Sequence, residues 1–345
     1  MKAAIFRGLG EMTVADVPEP DVVEGSLIVR VNTCAVCGSD VRIFRRGNPR
    51  VRPPQILGHE IAGVVVAVGR GVAGFGEGDR VAVSADIPCG RCEWCRRGLQ
   101  NNCVQELAMG YQFAGGFAEY VLVPALAVEQ EVIHHIPGDL GFDEAALAEP
   151  LGCCVNGQDI SKVGGGDCVV VIGAGPAGCM HVQLAKARGA AKVILIQRSP
   201  ARLEFARRFG ADAYVSTYHE DPVQRVLAET GGHGADIVIV ATPSAEAQEQ
   251  AIQMAAKRGR VNFFGGLPPA SKAISLASNV VHYKELSIQG SHGSTPRQHG
   301  IALQLIAHGV VDTKSLVTHA FPLGEVGEAF AAAERGAGMK VAVHP

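Results

Sequence analysis

Short apolar runs separated by glycine and proline fill residues 1–85 of the chain. Three of these runs, at residues 27–31, 61–68 and 80–83, are rich in β-branched residues and predict strands. The interval from residue 61 to residue 79 is too short for a crossover helix, so it predicts a hairpin. Glycines between the runs supply turns and bulges. This pattern favours a compact, partly open β-barrel over a βαβ array.

From residue 169 the pattern changes to apolar strands that alternate with helical stretches. Residues 169–172 form an unbroken β-branched run, which is typical of a strand buried on both faces of a parallel sheet. An amphipathic run over 179–188 predicts the helix that follows. Further strands are predicted at 192–197, 213–216, 235–241 and 260–266, with helices at 202–209, 222–229 and 245–257. The fold class is therefore α/β, with a doubly wound parallel sheet in this part of the chain.

The turn after the first of these strands has the spacing G-x-G-x-x-G. The first glycine permits a tight turn, the second lets the backbone approach a pyrophosphate, and the third lets the helix pack on the strand. The helix N-terminus then faces the bound anion. A chance glycine-rich loop is the alternative, but the strand before and the helix after favour a dinucleotide site. The predicted contacts in the turn are Gly173, Gly175, Pro176, Ala177 and Gly178. Thr242 and Gly265 fall at later strand ends, where ligands bind in such sheets.

Length and composition narrow the class of protein. A chain of 345 residues is long for one core and suggests two domains. The net charge of -3 argues against nucleic-acid binding, which favours a basic surplus. No apolar run reaches membrane-spanning length, and the N-terminal residues lack the pattern of a signal peptide. We therefore expect a cytoplasmic protein with neither nucleic-acid nor membrane partners.

A cysteine-rich segment follows the predicted barrel strands. Its spacing is C-x2-C-x2-C-x7-C, formed by Cys89, Cys92, Cys95 and Cys103. Four thiolates this close can surround one tetrahedral Zn²⁺ and leave no open position, as in structural zinc sites. An iron–sulfur cluster is the main rival, and disulfides are a poor rival in a reducing cytosol. The spacing favours structural zinc.

A second group of possible metal ligands lies within the predicted barrel. Cys37, His59 and an acidic residue such as the adjacent Glu60 are ligand types that zinc accepts, and three protein ligands leave a position open for chemistry. Singly, each side chain has an ordinary structural explanation, since lone cysteines are commonly buried hydrophobes. The residue types alone leave both possibilities open.

The order of these motifs resembles the zinc-containing medium-chain dehydrogenase/reductase family, in its sorbitol (polyol) dehydrogenase-like branch. The motifs that carry the resemblance are C-G-S at 37–39, G-H-E at 58–60, the cysteine segment, G-G-F-A-E-Y at 115–120, A-E-P-L at 148–151 and the glycine turn. The resemblance spans nearly the whole chain. It implies a GroES-like β-barrel catalytic domain, residues 1–155 and 288–345, with a structural zinc lobe near 87–104. A Rossmann dinucleotide-binding domain over 156–287 would interrupt it.

The resemblance also implies roles for individual residues. Cys37 and His59 match catalytic zinc ligands, and Glu60 matches an acidic residue beside that metal which can ligate in some states. Glu149 matches a further ligand of the catalytic zinc, at the place where the sorbitol branch has a glutamate and classical alcohol dehydrogenases have a cysteine. Ser39 matches the hydroxyl that passes the substrate proton outward. Zinc would acidify an alcohol whose hydride passes to a nicotinamide ring.

The end of the second strand of the dinucleotide domain departs from the pattern for NAD. An acidic residue usually binds the ribose hydroxyls there, but this chain has Gln197 followed by Arg198, with Ser199 and Arg202 nearby. The carboxylate that would repel a 2′-phosphate is thus absent, and an arginine fork suits such a phosphate. We expect NADP(H) rather than NAD(H), the alternative being a solvated Arg198 with Gln197 serving NAD.

The substrate side departs as well. After C-G-S-D-V, where sorbitol dehydrogenases commonly have a histidine and an aromatic residue, the chain has arginine and isoleucine, which puts sorbitol in doubt. One hypothesis is that an arginine-rich loop favours an anionic substrate; a solvated or subunit-contacting loop is the alternative. The arginines in question are Arg42, Arg45, Arg46, Arg50 and Arg52.

The sequence therefore predicts an NAD(P)-dependent zinc alcohol or polyol dehydrogenase acting on a small-molecule secondary alcohol, with catalytic and structural Zn²⁺. The resemblance suggests a homotetramer or homodimer. An L-threonine 3-dehydrogenase is the alternative within the family. A non-catalytic zinc- and nucleotide-binding protein is the alternative of another class, although a binding module has no need of a proton relay through Ser39.

Overall fold

A computed structural model describes residues 1–268, 271 and 273–345 of the chain. Its strands are β1 (Lys2–Gly8), β2 (Glu11–Asp16), β3 (Leu27–Ala35), β4 (Gln55–Ile56), β5 (Glu60–Val68), β6 (Arg80–Val83), β7 (Asp86–Ile87), β8 (Leu107–Ala108), β9 (Tyr120–Val123), β10 (Ile133–His135), β11 (Cys168–Ile172), β12 (Lys192–Gln197), β13 (Ala213–Ser216), β14 (Ala235–Val240), β15 (Ala255–Phe263), β16 (Ser287–Gly290), β17 (Val317–Pro322) and β18 (Lys340–His344).

The helices occur in both halves of the chain, together with short 3₁₀ turns. They are α1 (Gly38–Arg46), α2 (Glu93–Arg96), α3 (Ala125–Glu129), α4 (Phe142–Ala146), α5 (Ala148–Ser161), α6 (Pro176–Ala187), α7 (Pro200–Ala206), α8 (Pro222–Glu229), α9 (Ala245–Met254), α10 (Ser278–Lys284), α11 (Pro296–Ala307) and α12 (Val326–Arg335). No helix in the described part of the chain is both long and apolar enough to span a membrane.

The chain forms two compact units, described separately below. The first unit comprises Met1–Gly152, Gly293–Gly309 and Thr313–Pro345, and the second comprises Cys153–His292 and Val310–Asp312. The division falls inside α5. The sequence-based boundaries at residues 155/156 and 287/288 lie within a few residues of these limits, and the functions assigned to the domains stay predictions.

The first unit is built on mostly antiparallel sheets. Its largest sheet has the order β10-β6-β5-β3-β18-β17, and β9 also pairs with β3. The predicted hairpin is present, since β5 pairs antiparallel with β6 with Ile61 opposite Val83. The late strand β18 pairs with β3, placing Ala342 opposite Ala35. The end of the chain is thus part of the sheet that the N-terminal strands begin.

The second unit contains a six-stranded parallel sheet. Its order is β13-β12-β11-β14-β15-β16, which is 3-2-1-4-5-6 in chain order. The central strands are fully buried on both faces, as their unbroken β-branched runs predict. The order reverses beside β11, and ligands bind at such reversals in doubly wound sheets.

Two local predictions need correction. The arginine-rich stretch after Cys37 is not all loop, because Arg42, Arg45 and Arg46 lie on α1. The helix predicted to reach residue 257 ends at Met254, and β15 starts at once with Ala255. Alanines favour helix locally, but pairing of Ala255 with Ala235 in the neighbouring strand overrides that preference.

Candidate active site

Cys37 stands at the junction between β3 and α1. It is the N-cap residue of α1, and its backbone N–H donates to Oδ2 of Asp40 at 2.9 Å. An acidic side chain in the first turn satisfies a free amide and favours the helix N-terminus. The cap therefore fixes the backbone that carries the Cys37 thiol.

His59 enters the site at the start of β5, after a glycine that no other residue could replace. Gly58 has φ +95°, and a Cβ on it would lie 2.5 Å from Sγ of Cys34. The His59 ring has Nδ1 3.2 Å from Oδ1 of Asp40 and Nε2 3.2 Å from Oγ of Ser39. The Asp40 carboxylate thus lies beside one ring nitrogen, and the other ring nitrogen is on the side of Ser39.

These neighbouring side chains shift the pKa values of the His59 imidazole and of the Cys37 thiol. Burial alone would lower the pKa of His59, but the Asp40 carboxylate raises it well above the ordinary value. Burial and Glu60 oppose ionisation of Cys37, yet its hydrogen bond with His59 lowers the pKa of the thiol. A carboxylate that orients a histidine from behind is common at metal sites.

Glu60 is paired with a cation from the far end of the chain. Nζ of Lys340, on β18, lies 2.5 Å from Oε1 of Glu60 and also donates to the carbonyl of Val36 at 3.2 Å. Burial raises the pKa of Glu60 to about 7, while attraction to Glu60 overcomes burial and raises the pKa of Lys340 to about 12. Oε2 of Glu60 is buried and has no hydrogen-bond partner among the described residues.

These side chains form a donor set that suits a divalent metal. The possible ligand atoms of Cys37, His59 and Glu60 all lie within 4.8 Å of one another. A thiol, an imidazole and a carboxylate are ligands that zinc accepts, and the unpartnered oxygen of Glu60 is available. Glu149, on α5, is outside this group but buried beside it. Burial raises its pKa to about 7, with smaller effects from the charges of His59 and Cys37.

The cysteine segment forms a second candidate metal site. Its four thiols lie within 4.8 Å of one another, with Sγ–Sγ distances of 3.5 Å for Cys92–Cys95, 4.0 Å for Cys89–Cys95 and 3.9 Å for Cys92–Cys103. Zn–S bonds in a tetrahedron place sulfurs about 3.8 Å apart. Backbone N–H groups of Cys89 and Gln105 point at Sγ of Cys103, at 3.2 and 3.4 Å. The arrangement fits a closed four-thiolate site.

The predicted dinucleotide turn follows β11 directly. Gly173 has φ +112°, and a Cβ on Gly178 would lie 1.7 Å from the carbonyl oxygen of Gly173. Both glycines are thus required by the backbone itself. Pro176 and Ala177 begin α6, so the free amides of that helix face the turn. The chain has the cradle that a pyrophosphate needs.

Other predicted coenzyme contacts lie at neighbouring strand ends. Gln197 ends β12 and its Oε1 accepts from the backbone N–H of Arg198 at 2.8 Å. Ser199 caps α7 by accepting from the N–H of Arg202 at 3.4 Å. Thr242 and Gly265 come together, since a Cβ on Gly265 would lie 2.7 Å from Thr242 backbone atoms. These residues of the second unit therefore lie at the carboxyl ends of the strands of its sheet.

Two family models match the chain. The alcohol dehydrogenase GroES-like domain matches residues 23–137, and the zinc-binding dehydrogenase domain matches residues 176–308. The chain belongs to the zinc-containing medium-chain dehydrogenase/reductase family. This confirms the α/β fold class, with its GroES-like and Rossmann-type domains, and makes the protein an oxidoreductase of a zinc-binding family.

Relatives of this dehydrogenase carry different substrate names. It is 36% identical to the L-threonine 3-dehydrogenase of Bacillus subtilis, covering 100% of this chain and 99% of the relative. It is 33% identical to the sorbitol dehydrogenase of Halalkalibacterium halodurans, with coverage of 100% and 99%. A zinc-binding dehydrogenase from Sinorhizobium meliloti, solved with NADP, superimposes with a TM-score of 0.93 at 32% identity, with coverage of 100% and 99%. The family prediction is confirmed, and the substrate is a separate question.

Sequence reasoning missed several residues that the dehydrogenase fold brings to the candidate metal site. Asp40 supports His59, and Lys340 pairs with Glu60. Tyr111 packs on His59 with ring centroids 5.8 Å apart. Asp40 could have been found from its position three residues after Cys37, the spacing of a helix cap. Lys340 and Tyr111 lie in stretches without a recognisable signal.

Proposed function

We propose that this chain transfers a hydride between a secondary alcohol, a polyol or sugar derivative, and NAD(P), with NADP(H) preferred. The observation that carries the proposal is the cluster of Cys37, His59 and Glu60 with the Ser39 hydroxyl 3.2 Å from His59. The first unit would be the catalytic domain and the second the coenzyme domain.

In this proposal Cys37, His59 and Glu60 hold the catalytic zinc, and Glu149 stands beside them as the carboxylate that exchanges with Glu60. The Lys340 pair supports that assignment, because one oxygen of Glu60 is engaged and only the other is available. The four cysteines of the lobe hold the structural zinc. The zinc content of Glu149→Ala and Glu60→Ala variants would show which of the two carboxylates binds the catalytic zinc.

Residues of the chain then transfer the proton of the alcohol and fix the orientation of the His59 ring. Bound zinc supplies Lewis acidity that makes an alcohol hydroxyl ionise near neutral pH, and bound coenzyme supplies the hydride acceptor. Ser39 receives the proton of the alcohol and passes its own hydroxyl proton outward. Asp40 keeps the His59 ring in one orientation, since its carboxylate faces Nδ1.

The preference for NADP(H) rests on charge at the end of β12. Gln197 brings no negative charge, and Arg198 is exposed with its guanidinium available to a 2′-phosphate. Ser199 is the N-cap of α7 and Arg202 lies in the first turn of that helix, so a second arginine lies close to the end of β12. We also propose, on resemblance alone, a cytoplasmic homodimer or homotetramer.

The test is nicotinamide reduction with NAD⁺ and NADP⁺ in parallel. The panel contains polyols, sugar phosphates, L-threonine and simple secondary alcohols, before and after removal of zinc. We expect zinc-dependent turnover of polyols or sugar derivatives, with a higher kcat/KM for NADP⁺. Turnover that persists unchanged after the zinc has been removed would contradict the proposed catalytic zinc site.

L-Threonine 3-dehydrogenase is the second candidate, favoured by the named relative at 36% identity. Oxidation of L-threonine without oxidation of polyols would identify it. Absence of turnover across the whole panel by zinc-loaded protein would favour the non-catalytic alternative.

A further inference from the structure

Tyr111 lies in the loop after β8 and flanks the candidate metal site. Its ring centroid is 5.8 Å from that of His59, and the Ser39 hydroxyl is 3.2 Å from the same imidazole. Two hydroxyl-bearing side chains thus stand against one imidazole. Burial raises the pKa of the Tyr111 phenol, although a hydrogen bond with Ser39 lowers it. The phenol is neutral at physiological pH and can both donate and accept a hydrogen bond.

Contacts outside the metal cluster fix the Tyr111 ring. The guanidinium of Arg50 lies over the ring, 5.2 Å from its centroid, and Nη1 of Arg50 is 2.9 Å from Oε2 of Glu106. Nε2 of Gln55 donates to the Tyr111 carbonyl at 2.7 Å. The Glu106 side chain is 15% exposed and that of Arg50 is 38% exposed, so the ion pair is only partly shielded from water. A ring held from its face and its backbone is ordered before any ligand arrives, which favours specific binding.

We propose that Tyr111 is a specificity-determining residue whose hydroxyl binds a polar substituent on the carbon next to the reacting carbon. Under the proposed function, on which this inference rests, Ser39 engages the reacting hydroxyl. The neighbouring Tyr111 hydroxyl then forms a hydrogen bond with the polar substituent on the adjacent carbon. The substrates favoured are 1,2-diols and 1,2-amino alcohols over simple secondary alcohols. Arg50 acts as a positioning residue through the ring.

The arginine arrangement also revises the hypothesis of an anionic substrate. Arg45 is paired with Glu334 at 2.7 Å, and Arg50 is paired with Glu106. Their charges are already balanced within the protein. Beside the site, Arg50 instead fixes the position of the Tyr111 ring, since a guanidinium stacks well on the face of an aromatic ring.

The experiment compares three alcohols that differ only at the neighbouring carbon: 2-butanol, 2,3-butanediol and 3-amino-2-butanol. In Tyr111→Phe we expect kcat/KM for the diol and the amino alcohol, each relative to 2-butanol, to fall about tenfold, mainly through KM. Calorimetric titration of 2,3-butanediol into zinc-loaded protein should show a similar loss of affinity. Arg50→Gln should lower the same ratios about threefold, and Arg50→Lys, which keeps the cation, should recover part of the loss.

Tyr214→Phe is the matched control. Tyr214 also lies under an arginine, Arg207, at 4.8 Å, and its hydroxyl donates to the Arg207 carbonyl at 3.1 Å, but it belongs to the second unit. The ratios for this variant should equal those of the unmodified protein. Any common effect of removing a stacked phenol hydroxyl is thereby measured separately.

An equal loss for all three alcohols in Tyr111→Phe would overturn the inference, because it would make the residue a structural support only. An unchanged ratio in Arg50→Gln would overturn the positioning role of Arg50. If the protein oxidised none of the three alcohols, the calorimetric comparison would decide, and equal or undetectable binding of the diol by both proteins would count against Tyr111. Failure of the whole alcohol panel would instead contradict the proposed function.

Discussion

The Nδ1 atoms of His134 and His299 lie 3.0 Å apart, with the two ring centroids separated by 5.0 Å. His134 lies on β10 and His299 on α11, both in the first unit. At this distance one ring donates and the other accepts, so the pair is stable only while at least one imidazole is neutral. Burial lowers the pKa of His134 to about 4 and lowers that of His299 well below its ordinary value.

This pair predicts a loss of stability in mild acid. Below pH 6.5 the unfolded chain binds protons at both histidines, whereas in the folded chain His134 stays neutral down to about pH 4 and burial keeps the pKa of His299 well below its ordinary value. The free energy of unfolding should therefore decrease as the pH falls, by about 1 kcal/mol per pH unit for each histidine. Urea unfolding of zinc-saturated protein between pH 7 and pH 5 measures this slope, and His299→Gln should reduce it. The exposed His308→Gln is the control, and equal slopes in all three proteins would contradict the prediction.

The buried pair of Lys340 and Glu60 predicts a large effect from one side-chain truncation. Lys340→Met leaves the Glu60 carboxylate buried without its cation, which should lower the free energy of unfolding by about 3–5 kcal/mol. Lys2→Met is the matched control, since Lys2 and Asp16 are 3.5 Å apart with side chains 60% and 81% exposed. Its loss should stay below about 1 kcal/mol. Equal losses in the two variants, measured by chemical unfolding, would show that burial of the pair contributes nothing.

Removal of one thiol from the cysteine lobe should remove one metal ion. In Cys95→Ser the four-thiolate set is incomplete, so we expect one zinc equivalent fewer per chain by elemental analysis and a lower Tm. Cys168→Ser, on β11 and outside both metal clusters, should keep the full complement. Full zinc content in Cys95→Ser would mean that the lobe does not hold a tetrahedral ion.

The end of β12 predicts how coenzyme preference can be changed. Gln197→Asp places a carboxylate where a 2′-phosphate would bind, so the ratio of kcat/KM for NADP⁺ to that for NAD⁺ should fall about a hundredfold. Gln224→Asp adds the same charge on the exposed face of α8 and should leave the ratio unchanged. An unchanged ratio in Gln197→Asp would refute the assignment of Gln197 to the ribose end of the site.

Much of the fold follows from local patterns. Five of the six sheet strands of the second unit were predicted, because their buried β-branched runs are distinctive, whereas β16 was not predicted; β12, β13 and α8 begin and end as predicted. The glycine turn was predicted from its spacing, and the structure explains that spacing, since the close approach of Gly178 to Gly173 excludes any side chain. The four-cysteine cluster was predicted from its spacing, whereas the roles of Cys37, His59 and Glu60 as metal ligands came from the family resemblance.

The missed features depend on partners that are remote in sequence. Nothing around Lys340 predicts that its ammonium is buried against Glu60, 280 residues earlier. Similarly, Arg50 was noted only as one of the arginines that follow Cys37, and Tyr111 carried no sequence signal; only the fold stacks the two side chains. The start of β15 was misplaced because its alanines favour helix locally and only the neighbouring strand decides otherwise.

The pairing of β18 with β3 has a consequence for how the protein is made. Ribosomes deliver the N-terminal strands first, and domains of a growing chain fold as their residues emerge. Here the strand that flanks β3 and the ammonium that balances Glu60 are both translated after the entire second unit. If Cys37, His59 and Glu60 bind zinc as proposed, the pairing of Glu60 with Lys340 is completed only after the second unit has been synthesised.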